Sequence, residues 1–303
     1  MPKKKQEMNI MKLMDEFHSE DACREILEKL RWPDGVECPR CGNKSVRNSY
    51  TREQYDCASC GYQFSVTAGT IFQDTHLPLP KWFVAIYLMV ESKKGISANQ
   101  MKRTLSVSYK TAWYLCHRIR AAMMSEVDKQ LDGVVEVDET WVGGKTKGEG
   151  HGYKGNKVLA IGAAEREGDI VLQAIQHADK ETLHKFIHEH TAPDTEAIYT
   201  DEWPAYNGIE DKNTKHETVN HSANQWVKGG VHTNSVENIW SLLKRSIVGS
   251  YHQVSKKHLD AYLDELEWRF NNRDNPYLFR DTLLKLIQSD NLEYRKLVSN
   301  LVS

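Results

Sequence analysis

The chain has 303 residues, of which 40% are hydrophobic and 27% charged, with a formal net charge of −2. That composition excludes a disordered or fibrous chain, and the length accommodates one large domain with one or two small ones. The longest apolar run, residues 82–90, is too short to cross a bilayer, and the lysines at 3–5 are not followed by an apolar signal core, so a cytoplasmic protein with no membrane partner is expected.

Residues 8–31 carry helical spacing, with Ser19 as the expected N-cap of a helix over 21–31 and Trp32-Pro33 ending it. Short aromatic and β-branched runs follow over 33–76, around two pairs of cysteines. Residues 78–125 return to helical spacing and are basic: Lys81, Lys93, Lys94, Lys102, Arg103, Lys110, Arg118 and Arg120 stand against one acid, Glu91. The near-neutral total hides this block, and phosphate binding depends on where positive charge sits. From about Leu131 the period changes. Strands are predicted at 133–138, 157–164, 170–175, 197–201 and 217–219, with a helix over 179–190. An amphipathic helix over 234–248 places Val236, Ile239, Trp240 and Leu243 on its apolar side. The order fits an α/β domain with a mixed sheet, and a last helix over 255–271 is expected to cover it.

Cys38-Pro-Arg-Cys41 and Cys57-Ala-Ser-Cys60 lie 15 residues apart, each pair followed by a glycine. Two intervening residues bring both sulfurs of a pair to one ion, so one structural Zn²⁺ held by Cys38, Cys41, Cys57 and Cys60 is expected. All four positions are filled by protein, which leaves no open site for catalysis. Cys23 and Cys116 fall in helical patterns and read as small buried apolar residues.

Helices predicted at 79–92, 97–105 and 109–124, with a short turn at 106–108, have the layout of a helix-turn-helix. The last helix of such a unit enters the major groove. Tyr109, Lys110 and Trp113 are the candidate groove contacts, with Arg118 and Arg120 further along. A plain three-helix unit with a solvated basic face is the alternative.

Asp138 and Asp201 are read as ending apolar strands, and Glu237 lies on the long helix. Two strand-borne aspartates meeting a helix-borne carboxylate is how an RNase H-like sheet gathers three acids. Hard oxygen ligands suit Mg²⁺ or Mn²⁺, and two such ions can activate an attacking oxygen and stabilise a leaving one in phosphoryl transfer. Lys244, two helical turns after Glu237, shares its face and is placed to hold a phosphate; Arg245 and Lys157 are further candidate DNA contacts. Glu136 shares the strand face of Asp138, whereas Glu139 and Glu202 point the other way. Asn234 stands close enough to Glu237 to share its role. His221, His232 and the lysines of a glycine-rich stretch over 143–155 border the same region, and Trp203 and Tyr206 follow the second aspartate.

Three motifs carry a family resemblance: Val137-Asp138-Glu139-Thr140-Trp141-Val142-Gly143-Gly144, Thr200-Asp201-Glu202-Trp203, and the run from His232 through Asn234, Glu237, Asn238 and Trp240 to Arg245, with Phe270-Asn271-Asn272-Arg273 behind them. Over nearly the whole chain the sequence resembles bacterial insertion-sequence transposases of the IS1595 family, which join an N-terminal zinc ribbon to a DDE domain. The resemblance implies a nucleoid-associated enzyme that uses two Mg²⁺ or Mn²⁺ and assembles as a homodimer or higher oligomer on double-stranded DNA. It would bind its own terminal inverted repeats, cut to free a 3′-OH, and join that end to target DNA. The expected organisation is a multidomain α/β chain: an N-terminal helical segment (1–32), a zinc ribbon (33–76), a helix-turn-helix-like domain (77–127), an RNase H-like catalytic domain (128–254) and C-terminal helices packing on it (255–303). Two other readings use the same residues: a DNA-binding regulator whose α/β domain no longer cuts, and an RNase H-like nuclease.

Overall fold

The computed structural model describes residues 8–49, 53–124, 130–143, 157–210, 214–219 and 232–299. In chain order it comprises α1 (Ile10–Glu16), α2 (Glu20–Arg31), β1 (Val46–Ser49), β2 (Gln54–Cys57), β3 (Gln63–Phe64), α3 (Leu79–Glu91), α4 (Ala98–Leu105) and α5 (Tyr109–Ala122). Then follow β4 (Val134–Val142), β5 (Val158–Glu165), β6 (Ile170–Ile175), α6 (Lys180–His190), β7 (Ala197–Asp201) and β8 (Lys215–Val219). The last helices are α7 (Asn234–Ser246), α8 (Leu259–Asn271), α9 (Leu278–Gln288) and α10 (Tyr294–Val298). No described helix is long and apolar enough to cross a membrane. The chain divides into two units, Met1–Met123 with Asp274–Ser303, and Met124–Arg273.

In the first unit, side-chain caps set the starts of α2, α4 and α5. Ser19, Ser97 and Ser108 accept N–H bonds from Ala22, Gln100 and Thr111, giving orphan first-turn donors a partner. Ser106 closes α4 in a left-handed conformation (φ 53°) and turns the chain into α5, the corner of the helix-turn-helix. The three ribbon strands form an antiparallel sheet in sequence order. Trp32, Tyr55 and Phe64 pack over it with ring centroids 5.7–5.9 Å apart.

Residues 278–288, expected against the catalytic sheet, pack instead with α2 and α3. The cause is aromatic: Phe279 sits 5.9 Å from Phe83 and 6.1 Å from Phe17, completing a core that the N-terminal helices leave open. Helical periodicity reveals an apolar face but not its partner.

The second unit is a five-stranded sheet in the order β6-β5-β4-β7-β8. β6, β5 and β4 pair antiparallel; β4, β7 and β8 run parallel. This is an RNase H-like sheet. Its two faces bury separate cores, as alternation along strands requires. Val135, Val137 and Ile161 face α6 with Leu183, Phe186 and Ile187. Ala160, Ala164 and Leu172 face Trp240 and Leu243 of α7 and Leu263 and Leu266 of α8.

Helix α8 also closes one sheet edge. The N–H groups of Ile170, Leu172 and Ala174, every second residue of β6, donate to Asn271 Oδ1 (2.8 Å), Glu267 Oε2 (2.9 Å) and Asp260 Oδ1 (2.8 Å). Arg273 donates to the Gly168 carbonyl at 3.0 Å, so the run Phe270-Asn271-Asn272-Arg273 grips the β5–β6 hairpin. Helix α7 ends at Ser246, two residues earlier than expected, and continues as a π-turn over Ile247–Tyr251.

Candidate active site and zinc centre

Asp138 lies in the middle of β4 and not at its end, because pairing with β5 runs on to Val142. The β4–β7 register sets Glu136 beside Tyr199, so two residues further on Asp138 and Asp201 stand side by side on one sheet face. Across β5, Asp138 pairs with Gly162. A Cβ on Gly162 would lie 2.7 Å from the Trp240 ring, so the bare backbone there lets α7 approach. Glu237 is one turn before Trp240 on that helix. Topology thus brings all three acids to one face of the sheet.

Their charges interact. Burial, then the negative charges of Glu139, Asp201 and Glu237, push the Asp138 carboxyl up to about 7. Asp201 Oδ1 accepts the Trp203 N–H at 2.9 Å, and Glu237 Oε1 accepts the Thr233 hydroxyl at 3.0 Å. Thr200, fully buried, meets His216 Nε2 at 2.9 Å and holds the end of β7 to β8. Hard carboxylate oxygens turned toward one another in this way suit a Mg²⁺ or Mn²⁺ centre.

The acids beside Asp138 have other partners. On the opposite face Tyr206 Oη donates to Glu139, and burial raises the Glu139 carboxyl. Glu136, on the Asp138 face, is fully buried and accepts from the Ser235 amide (2.7 Å), the Ser235 hydroxyl (3.0 Å) and Arg166 Nε (3.1 Å). The strand pattern signals that Glu136 faces inward; nothing in the sequence signals Arg166 as its partner. Lys244 and Arg245 are exposed near the end of α7, Lys157 is half-buried just before β5, and Asn234 is exposed at the first residue of α7. His221 and residues 144–156, with Lys145, Lys147 and Lys154, lie outside the described residues.

The four cysteines form the tighter constellation. Their sulfurs all lie within 4.8 Å of one another, with Cys38–Cys60 at 3.7 Å and Cys41–Cys57 at 3.6 Å. A tetrahedron with Zn–S bonds of about 2.3 Å has edges of about 3.8 Å, so the sulfurs fit a zinc ion. Gly42 and Gly61 adopt φ of +69° and +68°, and their N–H groups donate to the carbonyls of Cys38 and Cys57, closing the two turns. Among the described residues this is the only group of three or more His, Cys, Asp or Glu side chains drawn so close.

In the helix-turn-helix, Tyr109 is 49% exposed and Lys110 is exposed, its Nζ 4.4 Å over the Tyr294 ring; Trp113 is half-buried, 4.4 Å from the His117 ring. Arg118 and Arg120 do not join them. They are 4% and 1% exposed, on the covered side of α5. Arg118 donates to the carbonyls of Ile71 and Gln73, and Arg31 to those of Val66 and Ala68. The two guanidiniums satisfy a stretch with no strand partner. Charge counting places a basic helix but cannot separate its exposed arginines from those spent inside.

Residues 130–271 match the family model described as ISXO2-like transposase domain, and residues 18–63 match the transposase zinc-ribbon domain. The chain is 29% identical over 273 residues to a Halobacterium salinarum protein described as in transposable element ISH50, covering 84% of this chain and 91% of that protein. It is 31% identical over 105 residues to a transposase-like protein of Haemophilus influenzae, covering 35% and 80%. Among solved structures, the Mos1 strand transfer complex aligns over 68% of this chain and 75% of that one, at 10% identity and a TM-score of 0.31. With its zinc ribbon and its DDE domain both matched, the chain belongs to the IS1595 family of transposases.

Proposed function

We propose that this transposase cuts and joins DNA strands by phosphoryl transfer at Asp138, Asp201 and Glu237. The observation that supports the reading is geometric: the β4–β7 register and the close approach of α7 at Gly162 turn Asp138, Asp201 and Glu237 toward one sheet face. Two Mg²⁺ or Mn²⁺ ions held there would supply activation of the attacking oxygen and charge relief on the leaving one.

The chain's own groups do the rest. Asp138 and Asp201 fix two ligand positions on the rigid sheet, and Glu237 brings a third from α7. Lys244, exposed two turns along α7, is placed to pair with a backbone phosphate. Tyr109 and Lys110, at the exposed start of α5, are placed to meet base edges of the terminal inverted repeat. Water as nucleophile frees a 3′-OH, and that 3′-OH then attacks target DNA as an oligomer holds the ends together.

The test is a duplex carrying candidate ends, incubated with Mg²⁺ and the zinc-loaded protein. Nicking and end-joining are both expected, and Asp201→Ala should lower both by about 10²–10³-fold, as loss of a catalytic electrostatic group does. Equal activity in Asp201→Ala removes the triad from the mechanism. Nicking without joining marks a nuclease, and end binding without either marks a regulator.

A further inference from the structure

Glu136 carries charge into the core two residues before Asp138 and is not one of the three proposed ligands. Both its oxygens are taken: Oε2 by the Ser235 amide at 2.7 Å, and Oε1 by the Ser235 hydroxyl at 3.0 Å and Arg166 Nε at 3.1 Å. His232 Nδ1 lies 3.0 Å from Oε1 as well. Three segments meet on this carboxylate: β4, the chain leaving β5, and the approach and first turn of α7. Arg166 supplies the opposing charge and itself stacks 4.8 Å over the Tyr199 ring of β7.

Spacing gives this meeting a consequence. Asp138 is two residues beyond Glu136 on the same strand face, about 6.6 Å along β4. Glu237 is two residues beyond Ser235, about 3 Å along α7. One carboxylate therefore fixes the strand that bears the first acid to the helix turn that bears the third. An anchor is needed, because like charges at the site oppose Glu237's approach. A helix N-terminus presents unpaired N–H groups and a partial positive charge, to which a buried carboxylate binds strongly.

We propose that Glu136 is a positioning residue that seats the start of α7 so that Glu237 meets Asp138 and Asp201 around the metals. The proposal rests on the two-metal reading above. Glu136 does not contact the metals; its oxygens are occupied by protein donors.

The experiment measures Mn²⁺ affinity by electron paramagnetic resonance, and amide exchange over 234–238, on the full-length, zinc-loaded protein. Outer partners of metal ligands typically contribute 10–100-fold in affinity, so Glu136→Ala should weaken Mn²⁺ binding at least about tenfold, with faster exchange in the first turn of α7. Glu136→Gln keeps one oxygen for the Ser235 amide and should recover most of that loss. A direct ligand would instead lose as much with Gln as with Ala, and that result overturns the proposal. Should Glu136→Ala fail to fold, Ser235→Ala removes one of the two Ser235 bonds and should weaken binding in the same direction by a smaller factor. Wild-type affinity in the folded variant, Glu136→Ala or otherwise Ser235→Ala, also overturns it. Asp138→Asn separates the two readings. If it binds Mn²⁺ as wild type does, the triad itself fails; if it loses Mn²⁺ and the Glu136 variants do not, only the anchor fails.

Discussion

The zinc centre and the acidic site are assembled in opposite ways. The four sulfurs come from two copies of one local device, a CxxC turn closed by a positive-φ glycine, and they lie within 4.8 Å of one another. The three carboxylates come from β4, β7 and α7, far apart in sequence, and their positions depend on strand register and on how α7 seats against Gly162. Local turns build a closed site that a metal completes. Long-range topology builds the acidic one, where burial and the charges of Glu139, Asp201 and Glu237 raise the Asp138 carboxyl.

Three measurements would break or sharpen that contrast. The largest effect belongs to zinc. Structural zinc sites contribute about 10–16 kcal/mol at neutral pH, so chelation or Cys57→Ser should abolish amide-exchange protection in β1–β3 and leave β4–β7 protected. Survival of the ribbon without metal would mean that the aromatic cluster alone holds it. Next comes Gly162→Ala. The new methyl must displace Trp240 or Leu172, an overpacking cost of about 1–3 kcal/mol. It should lower Tm and weaken Mn²⁺ binding together, with zinc content unaffected; unchanged Mn²⁺ affinity would separate the seat of α7 from the acidic site.

The smallest effect is electrostatic. The folded Asp138 carboxyl titrates at about 7, above the ordinary 3.8. Its contribution to stability is therefore complete below about pH 4 and lost as pH rises through about 7. In zinc-loaded protein without Mg²⁺ or Mn²⁺, Asp138→Asn should raise Tm at pH 8 by roughly 2–4 °C, about 1 kcal/mol, and change it little at pH 4. Adding Mn²⁺ should cancel the difference, because a cation favours the ionised form. A Tm gain of the same size at both pH values would assign the effect to packing.

What could be read from sequence follows the same division. The cysteine spacing and the Ser19 cap are local, and the structure has them where residue chemistry put them. Asp201 was legible as a strand end; Asp138 was misplaced as one, since only pairing with β5 shows that β4 continues to Val142. Arg118 and Arg120 read as DNA contacts from their charge, but both lie on the covered side of α5, where Arg118 is taken by the carbonyls of Ile71 and Gln73. The helix over 278–288, expected on the catalytic domain, packs with α2 and α3 for the same reason.

The contact between α8 and β6 bears on how copies of this chain can associate. Asn271, Glu267 and Asp260 occupy the three outward donors of the edge strand, the row an incoming strand would need. That edge is therefore no template for strand addition. The α/β unit is protected there from fusing sheet to sheet, and any association of copies is directed to other surfaces.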